Sequence, residues 1–394
     1  MLSKDALPFI QATLPVVKEH GAAITGHFYK RMFTHQPELK NLFNMGNQAS
    51  GDQAQALAGA VYGYASNLGR TEITEPILNR IAHKHVSLGI TPAQYTIVGR
   101  HLIASIGEVL GEAATKEILS AWDEAYWLMA TDLIAREARI YQELAWQAGQ
   151  DWDEMTIIDK QQAGDGAMAI YLRPSNGSPL RPFSPGQYIS VGLDVPALGL
   201  NQCRQYSLSQ AAQDVWRITV KREQPQQGPA GNVSNLLHDA KQIGDTLRVG
   251  PPAGEFVLHA DARPVYLISA GIGITPVLAM LQQLLAEQST RKIVFAHASQ
   301  SQNAIAHWDE VVAAIDALEN GQLALWLDQP SQDNAAFNGR MDLSQIGPLQ
   351  TEADFYLCGP LGFMAAQRQW LLAQGVAAQQ IHYEAFGPDV FGAA

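Results

Sequence analysis

The stretch Leu267-Ile268-Ser269-Ala270-Gly271-Ile272-Gly273-Ile274-Thr275-Pro276 restricts the fold more than any other part of the chain. An apolar strand enters a pair of glycines and leaves as an apolar helix. Glycine lets backbone approach a ligand closely, Thr275 is placed to cap the helix, and Pro276 suits its first position. The free N–H groups of such a helix start attract an anion such as a pyrophosphate. The spacing Gly-x-Gly-x-Thr-Pro is not the dinucleotide fingerprint Gly-x-Gly-x-x-Gly, so a different nucleotide fold is implied. Taken alone, the same turn is also compatible with a purely structural role.

Three kinds of segment follow one another along the 394 residues, more than one ordinary core accommodates. Residues 1–148 read as helices throughout, six to eight of them, with apolar residues three and four apart as in Leu102, Ile106 and Val109. Ala114 to Trp146 reads as one long helix with Trp122, Tyr126, Met129, Leu133 and Ile140 inside. Residues 149–260 hold short alternating strands between Gly and Pro clusters, the pattern of an antiparallel barrel or sandwich. Residues 261–394 alternate strands (Val265–Ser269, Lys292–His297, Leu323–Leu327, Phe355–Cys358) with helices, which predicts a doubly wound parallel sheet.

A net charge of −12 leaves no basic surplus to neutralise phosphates, so a general nucleic-acid binder is excluded. Cys203 and Cys358 are the only cysteines, too few for a disulfide framework or a thiolate metal site. The first residues are unlike a secretory segment, and no apolar run is long enough to span a bilayer. The expected location is the cytoplasm.

Within the strand-rich region, Arg204-Gln205-Tyr206-Ser207 closes a strand. Its arginine suits a pyrophosphate, its tyrosine an aromatic ring, and its serine a ring nitrogen. Pro185-Gly186-Gln187-Tyr188 adds a turn and a second aromatic. Gly231-Asn232-Val233-Ser234 reads as a helix start suited to phosphate, and Gly250-Pro251-Pro252-Ala253-Gly254 as a stiff loop. Each is also ordinary barrel punctuation when taken singly. In this order, with Gly-x-Gly-x-Thr-Pro and Cys358-Gly359-Pro360, they resemble the ferredoxin–NADP reductase-like family. The resemblance implies an FAD-binding barrel followed by a domain for NADH or NADPH. It assigns Tyr188, Arg204, Gln205, Tyr206, Ser207 and Ser234 to the flavin. It assigns Gly271, Gly273, Thr275, Cys358 and Gly359 to the dinucleotide. Phe386 would cover the open face of the flavin ring; the competing reading is an aromatic tucked into the last strand. Cys358 is expected to be a packed residue beside the nicotinamide, not a nucleophile. Ser299, Ser301 and Gln302 after a strand offer no arginine for a 2′-phosphate, which favours NADH.

The helical region has its own constellation. Tyr29 lies in Phe28-Tyr29-Lys30-Arg31-Met32-Phe33, Pro37 precedes Phe43 by six residues, and Gln53 and Leu57 are one turn apart. His85 ends a helical run before Gly89, and Tyr95 follows it by ten residues, beyond Pro92. These spacings resemble a globin of the bacterial flavohaemoglobin kind, with the tyrosine on the second helix, and the resemblance extends over the whole chain. It implies a globin fold with b-type haem, His85 as the iron ligand, and Tyr29, Gln53, Leu57 and Phe43 around the distal pocket. It also places Tyr95 and Glu137 in a relay behind His85. Glu137 has a rival reading as a surface partner of Arg136 or Arg139. Lys84 lies near a haem propionate or the flavin, or is simply solvated; His83 is solvated or sits behind the ligand. Members usually carry cysteine where this chain has Ala385, so a thiol role there is excluded.

The resemblance implies a nitric oxide dioxygenase that forms nitrate from NO and O2, with electrons passing from nicotinamide through FAD to haem. Alternatives are a haem-based oxygen or redox sensor, a plain flavin or ferric reductase, and an alkyl hydroperoxide reductase acting on lipids. The expected partners are small molecules (O2, NO, NAD(P)H and a lipid in the haem pocket), with no nucleic acid, no integral membrane contact and a monomeric state.

Overall fold

The computed structural model describes residues 2–211, 213–223, 231–329 and 336–387. They form two compact units, one of Met1–Trp152 with Gly192–Arg204, the other of Asp153–Val191 and Gln205–Phe386.

The first unit contains six α-helices among the described residues: α1 (Leu7–His35), α2 (Met45–Ser50), α3 (Asp52–Ser66), α4 (Thr71–Leu88), α5 (Pro92–Leu110) and α6 (Lys116–Glu143). Helix α1 runs unbroken through Pro15, so Tyr29 lies on the first helix and not on a second. A proline inside a helix costs about 3 kcal/mol. The buried face of α1, with Ile10, Val17, Ile24 and Phe28 at helical spacing, outweighs that, since each such side chain contributes about 1.5–3 kcal/mol. Helix α4 stops at Gly89, which takes φ 72°, and Ile90 N–H returns to the His85 carbonyl at 3.0 Å. Helix α5 starts two residues later with a Thr91–Gln94 capping box and Pro92 in its first turn. This short connection fixes His85 relative to Tyr95. Helix α6 is capped by Thr115 and buries Trp122, Tyr126, Ala130, Leu133, Glu137 and Tyr141 along one stripe. Asn201 and Gln202 join this unit by hydrogen bonds to Asn41, Met45 and Lys40.

A six-stranded sheet has the order β4-β3-β6-β1-β2-β5; the parts of its third and fourth strands in chain order that fall within Gly192–Arg204 are counted in the first unit and the rest in the second. Its strands are β1 (Asp153–Gly164), β2 (Ala167–Pro174), β3 (Tyr188–Val195), β4 (Leu200–Ser207), β5 (Trp216–Lys221) and β6 (Thr246–Val249). The pairs β1–β2, β1–β6 and β2–β5 are antiparallel. Just beyond β4, a bridge from Leu208 to Ile218 links the two edge strands, so the sheet curls into a barrel. A short helix α7 (Asn232–Asn235) precedes β6.

A parallel sheet follows, with strand order β10-β9-β8-β7-β11-β12. Its strands are β7 (Val265–Ala270), β8 (Ile293–Ser299), β9 (Gly321–Leu327), β10 (Phe337–Asn338), β11 (Asp354–Cys358) and β12 (Ile381–Glu384). Helices α8 (Ile274–Ala286), α9 (Trp308–Ala317) and α10 (Leu361–Ala373) accompany it. The chain winds outward from β7 to β10, then returns to β11 on the other side of β7. The order therefore reverses between β7 and β11, where ligands of such sheets bind beyond the carboxyl ends. Barrel and parallel sheet belong to one compact unit because Arg217 of β5, only 4 % exposed, makes a two-pronged ion pair with Glu310 of α9 at 2.7 and 2.9 Å.

Candidate functional site

On the helical side, three elements converge on one buried carboxylate. Glu137 of α6 is 2 % exposed. Its Oε1 accepts from Tyr95 Oη at 2.5 Å and lies 2.8 Å from His85 Nδ1. Tyr95 Oη is also 2.8 Å from that Nδ1. Bonds to the carboxylate offset the cost of burying it, and they assign the proton to Nδ1. His85 Nε2 then carries a lone pair and takes no hydrogen bond from any described residue. Burial, aided by the neighbouring Glu137, pushes the Tyr95 hydroxyl far above its usual range, so it stays a donor.

Tyr29 lies in the same helical core as Tyr95, with Phe33, Phe43 and Leu57. Its ring meets Phe43 edge-on at 5.6 Å between centroids. Burial pushes its hydroxyl well up, against the opposing effect of side-chain hydrogen bonding with Gln53 and Gln48. Gln53 Oε1 and Gln48 Nε2 are buried without a hydrogen-bond partner. Buried polar atoms are rarely left so in a closed core, and these suit a polar ligand at that place. An almost wholly apolar pocket nearby in the unit is lined by Val17, Ile24, Val61, Leu102, Trp122 and Met129.

Strands β3 and β4 carry the aromatic and polar set. Tyr188 is buried and exchanges both backbone hydrogen bonds with Ala253 at 2.9 Å, which returns the Gly250–Gly254 loop to β3. Gln205 Nε2 donates to Ser190 Oγ at 3.0 Å. Tyr206 is half-buried, and Ser207 Oγ is buried without a partner, the vacancy expected of a hydroxyl that serves a ligand. Arg204 Nη1 donates to the Cys203 carbonyl at 2.7 Å. Ser234 is already engaged: its Oγ donates to the Gly231 carbonyl at 3.2 Å and accepts from Glu223 N at 3.3 Å.

At the glycine turn the two glycines differ. A Cβ on Gly273 would lie 2.3 Å from the Cys358 carbonyl oxygen, so this glycine serves contact between two backbone segments. Gly271 takes φ 54°, and a Cβ there would meet nothing within 4 Å, leaving open space in front of the turn. The expected cap is corrected. Helix α8 begins at Ile274, and Thr275 and Pro276 lie inside its first turn. Thr275 Oγ1 donates to the Ile272 carbonyl at 3.0 Å and so does not accept from a helix N–H. Proline remains harmless there, because first-turn N–H groups have no helical acceptor. Cys358 is fully buried and its thiol is pushed well up by burial, so it is a packed thiol.

Comparison with known proteins agrees with this geometry. Residues 26–133 match the globin family, and residues 267–369 match the oxidoreductase NAD-binding domain. A flavohemoprotein of Rhizobium meliloti is 43% identical over 402 residues, covering 99% of this chain and 100% of its own length. One from Chromobacterium violaceum is 46% identical, covering 98% of each chain. The chain belongs to the flavohaemoprotein family.

Among solved structures, the flavohemoglobin of Malassezia yamatoensis, with bound FAD and heme, is 33% identical. It superposes with a TM-score of 0.89 over 98% of this chain and 100% of its own. The FAD/NAD-binding domain of a Vibrio cholerae nitric oxide dioxygenase is 35% identical, with a TM-score of 0.57, over 61% of this chain and 100% of its own. Within this flavohaemoprotein, His85, Tyr95 and Glu137 form one cluster and Tyr29, Gln53 and Phe43 another, while Leu57 packs against the helical core at large. Glu137 is inside the helical core, which removes its reading as a surface partner of Arg136 or Arg139. Arg136 instead binds Asp132 at 2.8 Å. His83 and Lys84 are both half-buried, and burial lowers the His83 imidazole below its usual value, against the pull of Glu143. Phe386 is 49 % exposed rather than tucked into β12. Gln48 escaped the sequence reading, for nothing in its spacing links it to Tyr29.

Proposed function

We propose that this flavohaemoprotein is a nitric oxide dioxygenase, forming nitrate from NO and O2 at a b-type haem re-reduced by NAD(P)H through FAD. We divide it into a haem domain (1–148), a flavin barrel (149–260) and a dinucleotide domain (261–394). The observation that carries the reading is the His85 imidazole, clamped at Nδ1 by a buried tyrosine–carboxylate pair with Nε2 left free. That is how a metal-binding histidine is oriented and made electron-rich.

The residues fit both prosthetic groups. His85 Nε2 is a neutral donor for iron, and the orphaned Gln53 Oε1, Gln48 Nε2 and Ser207 Oγ are polar atoms that await partners. When bound, haem supplies an iron with one open position for oxygen, and FAD converts a two-electron hydride donor into single electrons. Glu137 accepts a hydrogen bond from Nδ1–H and keeps the imidazole in one tautomer, while Tyr95 holds the carboxylate in place. Tyr29 keeps its proton and offers it as a hydrogen bond on the oxygen side, and Gln53 adds a second polar contact. Leu57 and Phe43 exclude water there.

In the reductase half, Arg204 would grip the pyrophosphate of FAD, Tyr188 and Tyr206 would flank it, and Ser207 would donate to a ring nitrogen, with Gln205 and Ser234 beside them. Gly271 and Gly359 would line the switch point for the dinucleotide, with Gly273, Thr275 and Cys358 packed behind them, and Phe386 would cover the open face of the flavin ring. Lys84 is assigned to a haem propionate. The absence of an arginine after β8 favours NADH. No described helix is long and apolar enough to cross a membrane, and the proposed setting is a cytoplasmic monomer. The apolar pocket of the helical unit suits apolar gases. Stopped-flow mixing of the oxygenated protein with NO tests the reading: stoichiometric nitrate at a near-diffusional rate is expected. A slow or absent reaction would overturn it in favour of a sensor or a plain reductase.

A further inference from the structure

Three groups with metal-binding donors meet at the edge of the parallel sheet where its strands begin. Asp354 is the first residue of β11 and is fully buried. His382 is the second residue of β12, the neighbouring strand. His259 comes from the segment between the barrel and β7, its backbone N–H held by Tyr356 Oη at 2.8 Å. His382 Nε2 is 3.3 Å from Asp354 Oδ1, and His259 Nδ1 is 4.0 Å from the same oxygen. All three donor atoms lie within 4.8 Å of one another. The two imidazoles meet edge to face, with centroids 4.4 Å apart.

We propose that His259, Asp354 and His382 form a site for a divalent transition metal of the zinc class. Ligands at about 2.0–2.1 Å from a tetrahedral ion stand roughly 3.3 Å from one another. The Asp354–His382 pair already has that separation. His259 needs a shift of up to about 1.5 Å in this picture, and its side chain is 47% exposed. Two imidazole nitrogens and one carboxylate oxygen select zinc, nickel or copper over magnesium or calcium, which prefer oxygen alone. The half-exposed His259 leaves a fourth position open to water.

Asp354 supplies the negative charge. Its Oδ2 has Arg263 Nη2 at 3.0 Å, an ion-pair distance without hydrogen-bond alignment, and makes no hydrogen bond. Arg263 is held more closely by Asp261, at 2.6 Å. The guanidinium therefore neutralises the outer oxygen and leaves Oδ1 to the two histidines. The site is separate from the dinucleotide turn, because Asp354 and Cys358 stand at opposite ends of β11, about 13 Å apart at the rise of a strand. An ion there would tie together the segment leaving the barrel, β11 and the strand that leads to Phe386.

The test is equilibrium dialysis of tag-free holoprotein against zinc buffered with a competing chelator, with zinc K-edge X-ray absorption on the loaded sample. One zinc ion per chain is expected, with at least two imidazoles in its coordination shell and a tenfold or greater loss of affinity in both His259→Ala and His382→Ala. His259 is exposed, so its variant reports on binding even if loss of His382 disturbs β12. Unchanged zinc affinity in His259→Ala, a shell with fewer than two imidazoles, or equal affinity for magnesium would overturn the proposal.

Discussion

Two histidine–carboxylate pairs in this protein share one bond and differ in everything around it. His85 Nδ1 lies 2.8 Å from Glu137, and His307 Nδ1 lies 2.8 Å from Glu310. In the first pair the carboxylate is buried and the imidazole is 30% exposed; in the second the imidazole is 4% exposed and the carboxylate 37%. His85 keeps Nε2 free, whereas His307 Nε2 is spent on Thr219 Oγ1 at 2.8 Å. Glu310 also holds the buried Arg217. A hydrogen bond behind an imidazole thus makes a metal ligand only when the front nitrogen is left unsatisfied. Saturated at both nitrogens, the same group is a clasp between barrel and parallel sheet. His307 even adopts φ 58°, a strained value for a residue other than glycine, to reach both partners.

The largest expected effect breaks the first pair. His85→Ala should abolish haem retention, seen as loss of the Soret band, while NADH-driven flavin reduction stays within about twofold, since the reductase unit folds around its own core. Haem bound with an unchanged spectrum would remove His85 as the ligand. His307→Ala should do the reverse, keeping haem and lowering the melting temperature of the reductase unit. Next in size is Tyr29→Phe, which leaves His85 intact and tests the oxygen side. A charge-assisted hydrogen bond is worth about 1.5–3 kcal/mol, so oxygen should leave roughly 10–100 times faster. Flash photolysis measures that rate, and an unchanged value would take Tyr29 out of the distal role.

A matched substitution then sharpens the comparison. Glu137→Gln keeps the shape behind His85 and removes the charge, which should lower the iron–histidine stretching frequency in resonance Raman spectra and cost about tenfold in haem affinity or turnover. Glu310→Gln should leave both unchanged and destabilise the reductase unit by up to about 1 kcal/mol, because Arg217 keeps its charge and loses a partner that solvent partly screens. If the two variants gave the same Raman shift, the distinction between ligand support and clasp would fail.

What the sequence disclosed follows the same division between local and distant signals. The glycine turn and the strand around Arg204–Ser207 are contiguous, so chain spacing alone exposed them, and the parallel sheet followed from strands alternating with helices. Glu137 was legible but easily misread. Its arginine neighbours suggest a surface, yet it falls four residues after Leu133 and four before Tyr141, on the buried stripe of α6. Thr275 shows the limit of cap rules: the helix begins at Ile274, two residues before Pro276, and the hydroxyl turns back to Ile272. Chain spacing does not place Tyr29 on the first helix, because a proline at position 15 ordinarily interrupts a helix, while packing along α1 overrides it. The His307–Glu310–Arg217 clasp and the His259–Asp354–His382 cluster bring together residues separated by roughly ninety to well over a hundred positions, with no periodicity to announce them.

The smallest effect is a pH dependence confined to the clasp. Burial alone would raise the Glu310 carboxyl, but the bonds from His307 and Arg217 hold it at about 2, against an ordinary 4.5. Burial also lowers His307 below its usual 6.5, against the pull of Glu310. As pH falls past 6.5 the unfolded chain protonates this histidine before the folded one does, and below 4.5 the same holds for the carboxylate. Both groups therefore contribute stability at neutral pH that is lost on acidification, the histidine first and Glu310 between 4.5 and about 2. Glu310 is more than a third exposed, so solvent screening keeps its share under about 1 kcal/mol. Calorimetry of the reductase transition should show a constant gap between the protein and Glu310→Gln from pH 8 to about pH 5, narrowing as pH drops further. A gap as wide at pH 3 as at pH 7 would mean that Glu310 is not held ionised, and the clasp would then rest on hydrogen bonds to Thr219 and Ser209 alone.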